Sequence, residues 1–160
     1  MSLIIRPSQE REDDLITDNF YAMWQDYNMQ TLLHDNWRED TLAFIKDARK
    51  RLEFSGFVAE KNDKVIGSAA CQVFEGLYPM IFKPKVRKMA YIWAVYVMKG
   101  HRQQGVARQL TQACINYLKE RGCTKIHLHA SPMGKSVYEK LEFQTGNEMI
   151  LEIPDESKPQ

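Results

Sequence analysis

The sequence is poor in cysteine, carries no excess of either charge and contains no long apolar run. Each absence excludes something. Three cysteines, Cys71, Cys114 and Cys123, are scattered over 160 residues without a Cys-x-x-Cys pair. Neither a disulfide framework nor a thiolate metal site follows, and reduced, partly buried thiols are expected. A cytoplasmic location is expected on the same ground. Lys and Arg number 22 against 21 Asp and Glu, a formal net charge of +1, which argues against a general nucleic-acid binder. No apolar stretch approaches the roughly 20 residues of a membrane span. The start, Met1-Ser2-Leu3-Ile4-Ile5-Arg6, lacks a basic region followed by a long apolar one, so no secretory leader is expected. Repeats, low-complexity blocks and linkers are also missing. The remaining composition, 44% hydrophobic and 27% charged, suits one globular domain over residues 1–160, with a mobile tail over 154–160.

Periodicity then divides the chain. Residues 3–7 read as a short strand ended by Pro7. Leu15, Ile16, Phe20, Met23, Trp24 and Tyr27 recur at helical spacing. Asn36 and Glu39 have the spacing of a capping box, ahead of a helix with Leu42, Ile45, Ala48 and Leu52 on one face. Residues 57–60 and 65–74 read as strands joined by an Asn62-Asp63 hairpin turn, with Gly67 at a bend. Residues 76–88 carry two prolines and a charged end, and read as a loop. The nearly continuous apolar run over 89–98 predicts a strand buried on both faces. Val106, Leu110, Ala113, Cys114, Tyr117 and Leu118 mark the next helix, which Gly122 stops. A strand over 124–130, a short helix to Leu141 and a closing strand over 145–153 complete the order. An antiparallel hairpin followed by a parallel strand-helix-strand unit predicts a mixed α/β sheet.

The most informative stretch is 94–108, a buried strand running through a short turn into a helix. Arg102, Gly105 and Ala107 stand there as Arg-x-x-Gly-x-Ala. Such a junction can aim several free backbone N–H groups at one point, and the helix dipole adds positive potential. It therefore suits a phosphate or pyrophosphate. The N–H groups of Gln103, Gln104, Gly105, Val106, Ala107 and Arg108 are the expected donors. Arg102 and Arg108 can add charge-assisted contacts.

This motif resembles the pyrophosphate loop of the GCN5-related N-acetyltransferases, the GNAT family. A second segment, Ser136-Val137-Tyr138-Glu139-Lys140-Leu141-Glu142-Phe143, is similar to that family's Leu-Tyr-Glu-Lys-Leu-Gly-Phe. The resemblance covers about residues 3–153 and is specific over 89–143. It implies a GNAT-type α/β fold: a mixed central sheet flanked by helices, with strands four and five splayed and the pantetheine arm of acetyl-CoA between them. Val95 and Val97 would offer main-chain groups to that arm, and an amide near Tyr96 or Val97 would face the carbonyl oxygen. Ser131 stands where many members carry a cofactor-contacting asparagine, and Glu142 replaces the glycine of Leu-Gly-Phe.

Acetyl transfer from a thioester to an amine needs a held acceptor, a proton acceptor for the amine and a proton donor for the thiolate. The resemblance makes Tyr138 the donor. Glu75, at a strand end, is the leading candidate base; His127 and His129 share one strand face and could relay a proton, as could His34. The His-x-His pair lacks a third ligand, so no metal is expected. The resemblance places acceptor contacts in the first two helices and the loop before strand four, where Trp24, Tyr27, Trp37, Tyr78, Phe82 and Trp93 offer aromatic surface. Lys83, Lys85, Arg87 and Lys88 make a small basic run beside them. The function implied is acetyl transfer from acetyl-CoA to a primary amine of a small molecule. Nucleic acid and membrane are not expected as partners, and a homodimer is left open. Two alternatives stand beside that function: a non-catalytic acyl-CoA sensor or interaction module, and a protein or peptide N-acetyltransferase.

Overall fold

In the computed structural model, which describes residues 2–155 and 157, Asn62 (φ 53°) and Asp63 (φ 59°) both adopt left-handed conformations. Two such residues make the tight turn that suits the twist of a hairpin. They join β2 (Ser55–Lys61) to β3 (Lys64–Val73), antiparallel. β1 (Ile4–Pro7) adds to the outer edge of β2 and ends at its proline, as expected. β4 (Met89–Val97) pairs antiparallel with β3, and β5 (Lys125–His127) pairs parallel with β4. The strand order is β1-β2-β3-β4-β5.

Helices cover both faces. α1 (Asp13–Asp26) and α2 (Trp37–Arg51) lie on one, where Ile16, Ile45, Ala48, Leu52 and Phe54 close over Ala70 and Ala94. A buried hydrogen bond from the Asn19 amide to Ser68 Oγ (2.8 Å) ties α1 to β3. α3 (Val106–Glu120) covers the other face, burying Val106, Leu110, Cys114, Ile115 and Leu118 against Phe57, Ala69, Cys71 and Ile92. Both helical stripes fall where periodicity put them. α3 ends at Gly122, whose φ of 77° lets the chain turn toward β5. α4 (Lys135–Glu139) is a single short turn and a half. The cysteines are all free thiols, two of them buried.

Three expectations change. Asn36 does precede α2, but its backbone (φ −91°, ψ 18°) is not extended and its side chain makes no capping bond. The capping box is therefore not formed; a cap oxygen reaches the third N–H only from an extended cap residue. β5 is shorter than expected because its pairing with β4 ends at Tyr91 and His127. No strand forms over 145–153: residues 144–153 make no backbone hydrogen bond, and Met149 and Leu151 are 95% and 84% exposed. Of the expected tail, Pro154, Asp155 and Ser157 are described and exposed; Glu156 and residues 158–160 lie outside the described residues.

Beyond the end of its pairing with β5 at Tyr91, β4 carries a bulge. Ser68 pairs with Tyr96 and Ala70 with Trp93, so the single residue Ala69 opposes both Ala94 and Val95. Ala94 takes φ 52°, a left-handed conformation costing roughly 1–2 kcal/mol for a residue with a β-carbon. Gly67 sits beside this distortion. A β-carbon there would stand 2.6 Å from the Tyr96 carbonyl oxygen. Gly67→Ala should therefore destabilise the protein by roughly 1–3 kcal/mol, the cost of overpacking a tight contact. Gly146→Ala, where an added β-carbon meets nothing within 4 Å, is the control. Urea unfolding of both variants measures the difference; equal midpoints would mean that β3 and β4 can separate freely at this point.

Candidate active site

The turn between β4 and α3 carries two left-handed residues, Gln103 (φ 59°) and Gly105 (φ 78°). Gly105 is the residue on which α3 begins, and open space surrounds the position of its missing β-carbon. The N–H groups of residues 103–108 donate to no acceptor among the described residues. This concentrates unpaired donors at a 15-residue helix N-terminus, the arrangement expected of an anion site. Gln103, Gln104, Gly105 and Arg108 are exposed there, Ala107 is half-buried, and Val106 is buried in the core.

Arg102 turns the other way. Its Nε donates to the Val97 carbonyl (2.7 Å) and its Nη2 to Asp26 Oδ2 (2.6 Å). The guanidinium also lies over the Tyr96 ring, 5.4 Å from its centre. Arg102 thus straps the end of α1 to the loop and occupies one main-chain group of Val97. It shapes the turn as much as it charges it. Beyond Tyr91, the edge of β4 that would face β5 has no strand partner, which leaves the backbone around Val95 and Tyr96 open on that side.

Ser131 Oγ accepts the Gly134 N–H (3.0 Å), starting the turn that leads into α4. That turn presents Tyr138. Its ring meets Phe143 edge-on at 6.0 Å, and a β-carbon on Gly134 would stand 3.1 Å from it. Burial pushes the Tyr138 hydroxyl up to about 12, with the nearby Tyr27 and Cys114 adding to the shift. The hydroxyl therefore stays protonated throughout the physiological range, as a proton donor must. Tyr27 reaches the vicinity of Tyr138 from the end of α1. Glu142, in place of the family glycine, does adopt a left-handed conformation (φ 67°).

On the helical face of β3 and β4 lies a cavity of about 770 Å³. Trp24, Trp37 and Trp93 line it together, with Phe20, Phe44, Phe74 and Tyr91. Trp93 is the hub, with ring contacts to Phe20 (5.1 Å) and Phe44 (5.6 Å), and its indole N–H donates to Gln72 Oε1 (2.9 Å). The rim is polar. His34 meets Asp40 (3.3 Å), and Glu75 is exposed and paired with Arg51 (2.9 Å). Tyr27, Tyr78 and Phe82 are not in the lining. Tyr27 touches Trp24 from outside, Tyr78 is an exposed loop residue, and Phe82 packs under Arg87. The basic run is partly spoken for: Lys88 bonds Glu53 and the Arg121 carbonyl.

Sequence reasoning missed Phe44, Gln72, Phe74 and Tyr91 as lining. Phe44 carried a usable signal, being a large apolar residue off the buried stripe of its helix. Tyr91 carried none, since its role comes from pairing across the sheet. Its hydroxyl contacts His129 Nδ1, and its ring lies 5.8 Å from Phe74. Burial raises the Tyr91 hydroxyl, with Glu148 contributing. The neighbouring His127 has a buried, unpartnered Nε2. Burial and Lys125 lower its affinity for a proton, against an opposing pull from Glu148. Among the described residues no group of three or more His, Cys, Asp or Glu side chains could hold a metal ion. No described helix is long and apolar enough to cross a membrane.

A turn with unpaired N–H groups at a helix N-terminus, at the end of a splayed strand and beside an aromatic cavity, marks an α/β protein of a particular kind. The model of the Acetyltransferase (GNAT) family matches residues 11–143, and the chain belongs to that family. It is 28% identical over 111 residues to N-acetyltransferase 8B of Rattus norvegicus, covering 69% of this chain and 45% of that protein. It is 35% identical over 96 residues to N-alpha-acetyltransferase 30 of Schizosaccharomyces pombe, covering 57% of each. The chain spans about half the length of the curated relatives it matches. Among solved structures it is similar to a predicted acetyltransferase with acetyl-CoA from Clostridium acetobutylicum, at 26% identity and TM-score 0.79, over 96% of each chain. It shares the fold of a GCN5-related N-acetyltransferase from Ralstonia eutropha JMP134, at 21% identity and TM-score 0.76, over 95% of this chain and 99% of that one. The expected GNAT-type fold, with strands four and five splayed, is the observed one.

The raised Tyr138 hydroxyl has a measurable consequence for stability. The unfolded chain loses a tyrosine proton near pH ~10, whereas native Tyr138 holds its own to about 12. Stability from this group is therefore intact below ~10 and declines as pH rises through that window. Tyr138→Phe removes the contribution. Denaturant unfolding at about pH 9 and about pH 11 should show a smaller loss in the variant than in the wild type. An identical loss would place Tyr138 in contact with water.

Proposed function

We propose that this chain is an acetyl-CoA-dependent N-acetyltransferase acting on the primary amine of a small molecule with an aromatic or alkyl body. One observation carries the reading: unpaired N–H groups at 103–108, the open edge of β4 and an aromatic cavity of about 770 Å³ all adjoin the same strand. The loop receives the pyrophosphate, and the β4 edge receives the amide-rich arm. A main-chain N–H on the unpaired edge of β4, near Tyr96 or Val97, would face the carbonyl oxygen as the oxyanion donor. The cavity takes the acceptor. Its tryptophans suit an apolar body or a cation.

In this reading the neutral amine attacks the thioester carbon, a C–N bond forms and the C–S bond breaks. Tyr138 donates its proton to the departing thiolate and is reprotonated from solvent. The amine proton passes to His129 through the Tyr91 hydroxyl, which lines the cavity. Glu75, the leading candidate base, is exposed and ion-paired with Arg51, which takes up its charge. Cytoplasmic residence belongs to the same reading and rests on the three unpaired thiols. A non-catalytic sensor is disfavoured by the size of the cavity. A peptide N-terminus is the second acceptor to consider, favoured by the 35% identity to N-alpha-acetyltransferase 30.

An acceptor screen reading thiol release from acetyl-CoA tests the function. Arylalkylamines and alkylamines should outpace amino sugars and N-terminal peptides. Gly105→Glu should abolish acetyl-CoA binding in calorimetry, through steric block and charge repulsion in the loop. Binding without thiol release for any amine or peptide would establish a sensor. Normal binding by folded Gly105→Glu would remove the loop from the site.

Tyr138→Phe keeps the ring and removes the donor. Turnover with a saturating amine should fall ~10²–10⁴-fold where thiolate departure limits the rate, with acetyl-CoA affinity unchanged. The wild-type rate should rise with pH as the amine loses its proton, and Tyr138 should cause no fall near pH ~10, since its own ionisation lies near 12. Unchanged turnover in the variant would reduce Tyr138 to a packing residue.

A further inference from the structure

Among the described residues, Gln72 is the one buried polar side chain that lines the aromatic cavity; it is 7% exposed. Its partner fixes how it sits. An indole N–H can only donate, so the amide atom that meets Trp93 at 2.9 Å must be Oε1. This leaves the Nε2 end, whose two N–H groups donate to no acceptor among the described residues. Nε2 is not closed off in the packed interior either, so it opens on the cavity. Other polar groups of the lining are engaged: Thr41 Oγ1 donates to the Trp37 carbonyl, and Arg51 is bonded to Asp47 and Glu75.

A buried amide with free donors is costly when dry and costs little when something accepts from it. Before a ligand enters, water can do so. A ligand that fills the cavity displaces that water and must then supply the acceptor itself. We infer that Gln72 is a specificity-determining residue of the cavity: its Nε2 selects amines whose apolar body also carries an uncharged oxygen acceptor, such as an amide carbonyl or an ether. This rests on the proposed use of the cavity by the acceptor amine, and names a feature that the acceptor must carry. An uncharged oxygen fits better than a carboxylate. The walls are largely aromatic, and a neutral amide does not offset the cost of taking a full charge out of water. The guanidinium in the lining, Arg51, is already held by two carboxylates. The donors are also set before the ligand arrives. Trp93 holds the amide in one orientation, and Trp93 is itself held edge-on against Phe20 and Phe44.

Matched amines test the inference: phenethylamine against its derivatives with a carboxamide or a methoxy group at the meta or para ring position. Thiol release from acetyl-CoA gives KM for each. With the wild type, the best oxygenated amine should have a KM roughly 10–100-fold below that of the plain one. Gln72→Met keeps the shape and removes the donors, so the ratio should fall to about one in the folded variant. A second readout needs neither turnover nor a variant. In nitrogen-15 NMR of the wild type, the Gln72 side-chain amide should shift on titration with the oxygenated amines and not with the plain one. Turnover without preference, or a preference that survives Gln72→Met, would overturn the inference and leave the proposed function standing. An amide shift without turnover of any amine would do the reverse. No shift with any oxygenated amine would overturn the inference outright.

Discussion

The site depends on one constraint, the early end of the pairing between β4 and β5. Parallel strands normally continue side by side as long as both backbones can bond. Here β5 pairs with β4 over three residues only, and further along β4 an extra residue stands opposite Ala69. The cost is a left-handed alanine and a close approach at Gly67. Buried backbone groups without partners are expensive, so a strand edge released inside a fold is kept for something that can pair with it. In this family member the released edge ends at the turn over residues 103–108, whose N–H groups find no partner among the described residues. The two features are consecutive in the chain.

The two faces of β4 divide the work. Ile92 and Val97 face α3 and belong to its core, whereas Trp93 faces α1 and α2 and forms the hub of the cavity. Trp93 satisfies its indole N–H on Gln72, which leaves its rings free to act as an apolar wall. The charged groups stay at the rim, where water still reaches them. Burial also raises the hydroxyls of Tyr91, in the cavity lining, and of Tyr138, on α4, and keeps both protonated.

Arg102 shows how a motif residue can serve geometry. A guanidinium presents several donors in a fixed plane, so it can bond the Val97 carbonyl and Asp26 at once while stacking on Tyr96. Lysine could not hold this arrangement. The strap joins the end of α1, the end of β4 and the start of the loop, three segments distant in sequence.

The sequence by itself determined most of the elements and the turn on which α3 begins. The helical stripes of α1, α2 and α3, the Asn62-Asp63 turn, and the Arg102, Gly105 and Ala107 spacing are all local patterns, set by side-chain period and backbone freedom within a few residues. Trp24, Trp37 and Trp93 were legible as aromatic surface, because large apolar residues on short elements have few places to go. Only the tertiary structure decided which of the aromatics meet. Tyr78 and Phe82 have the same composition as the true lining but sit on a loop that does not fold over it. The Tyr91 and His129 contact needed the register of two parallel strands, which nothing local specifies. The segment over 145–153 has the alternation of a strand and was read as one. Whether it pairs depends on what lies within reach, and strand pairing, unlike helix formation, always requires a second segment to supply the bonds.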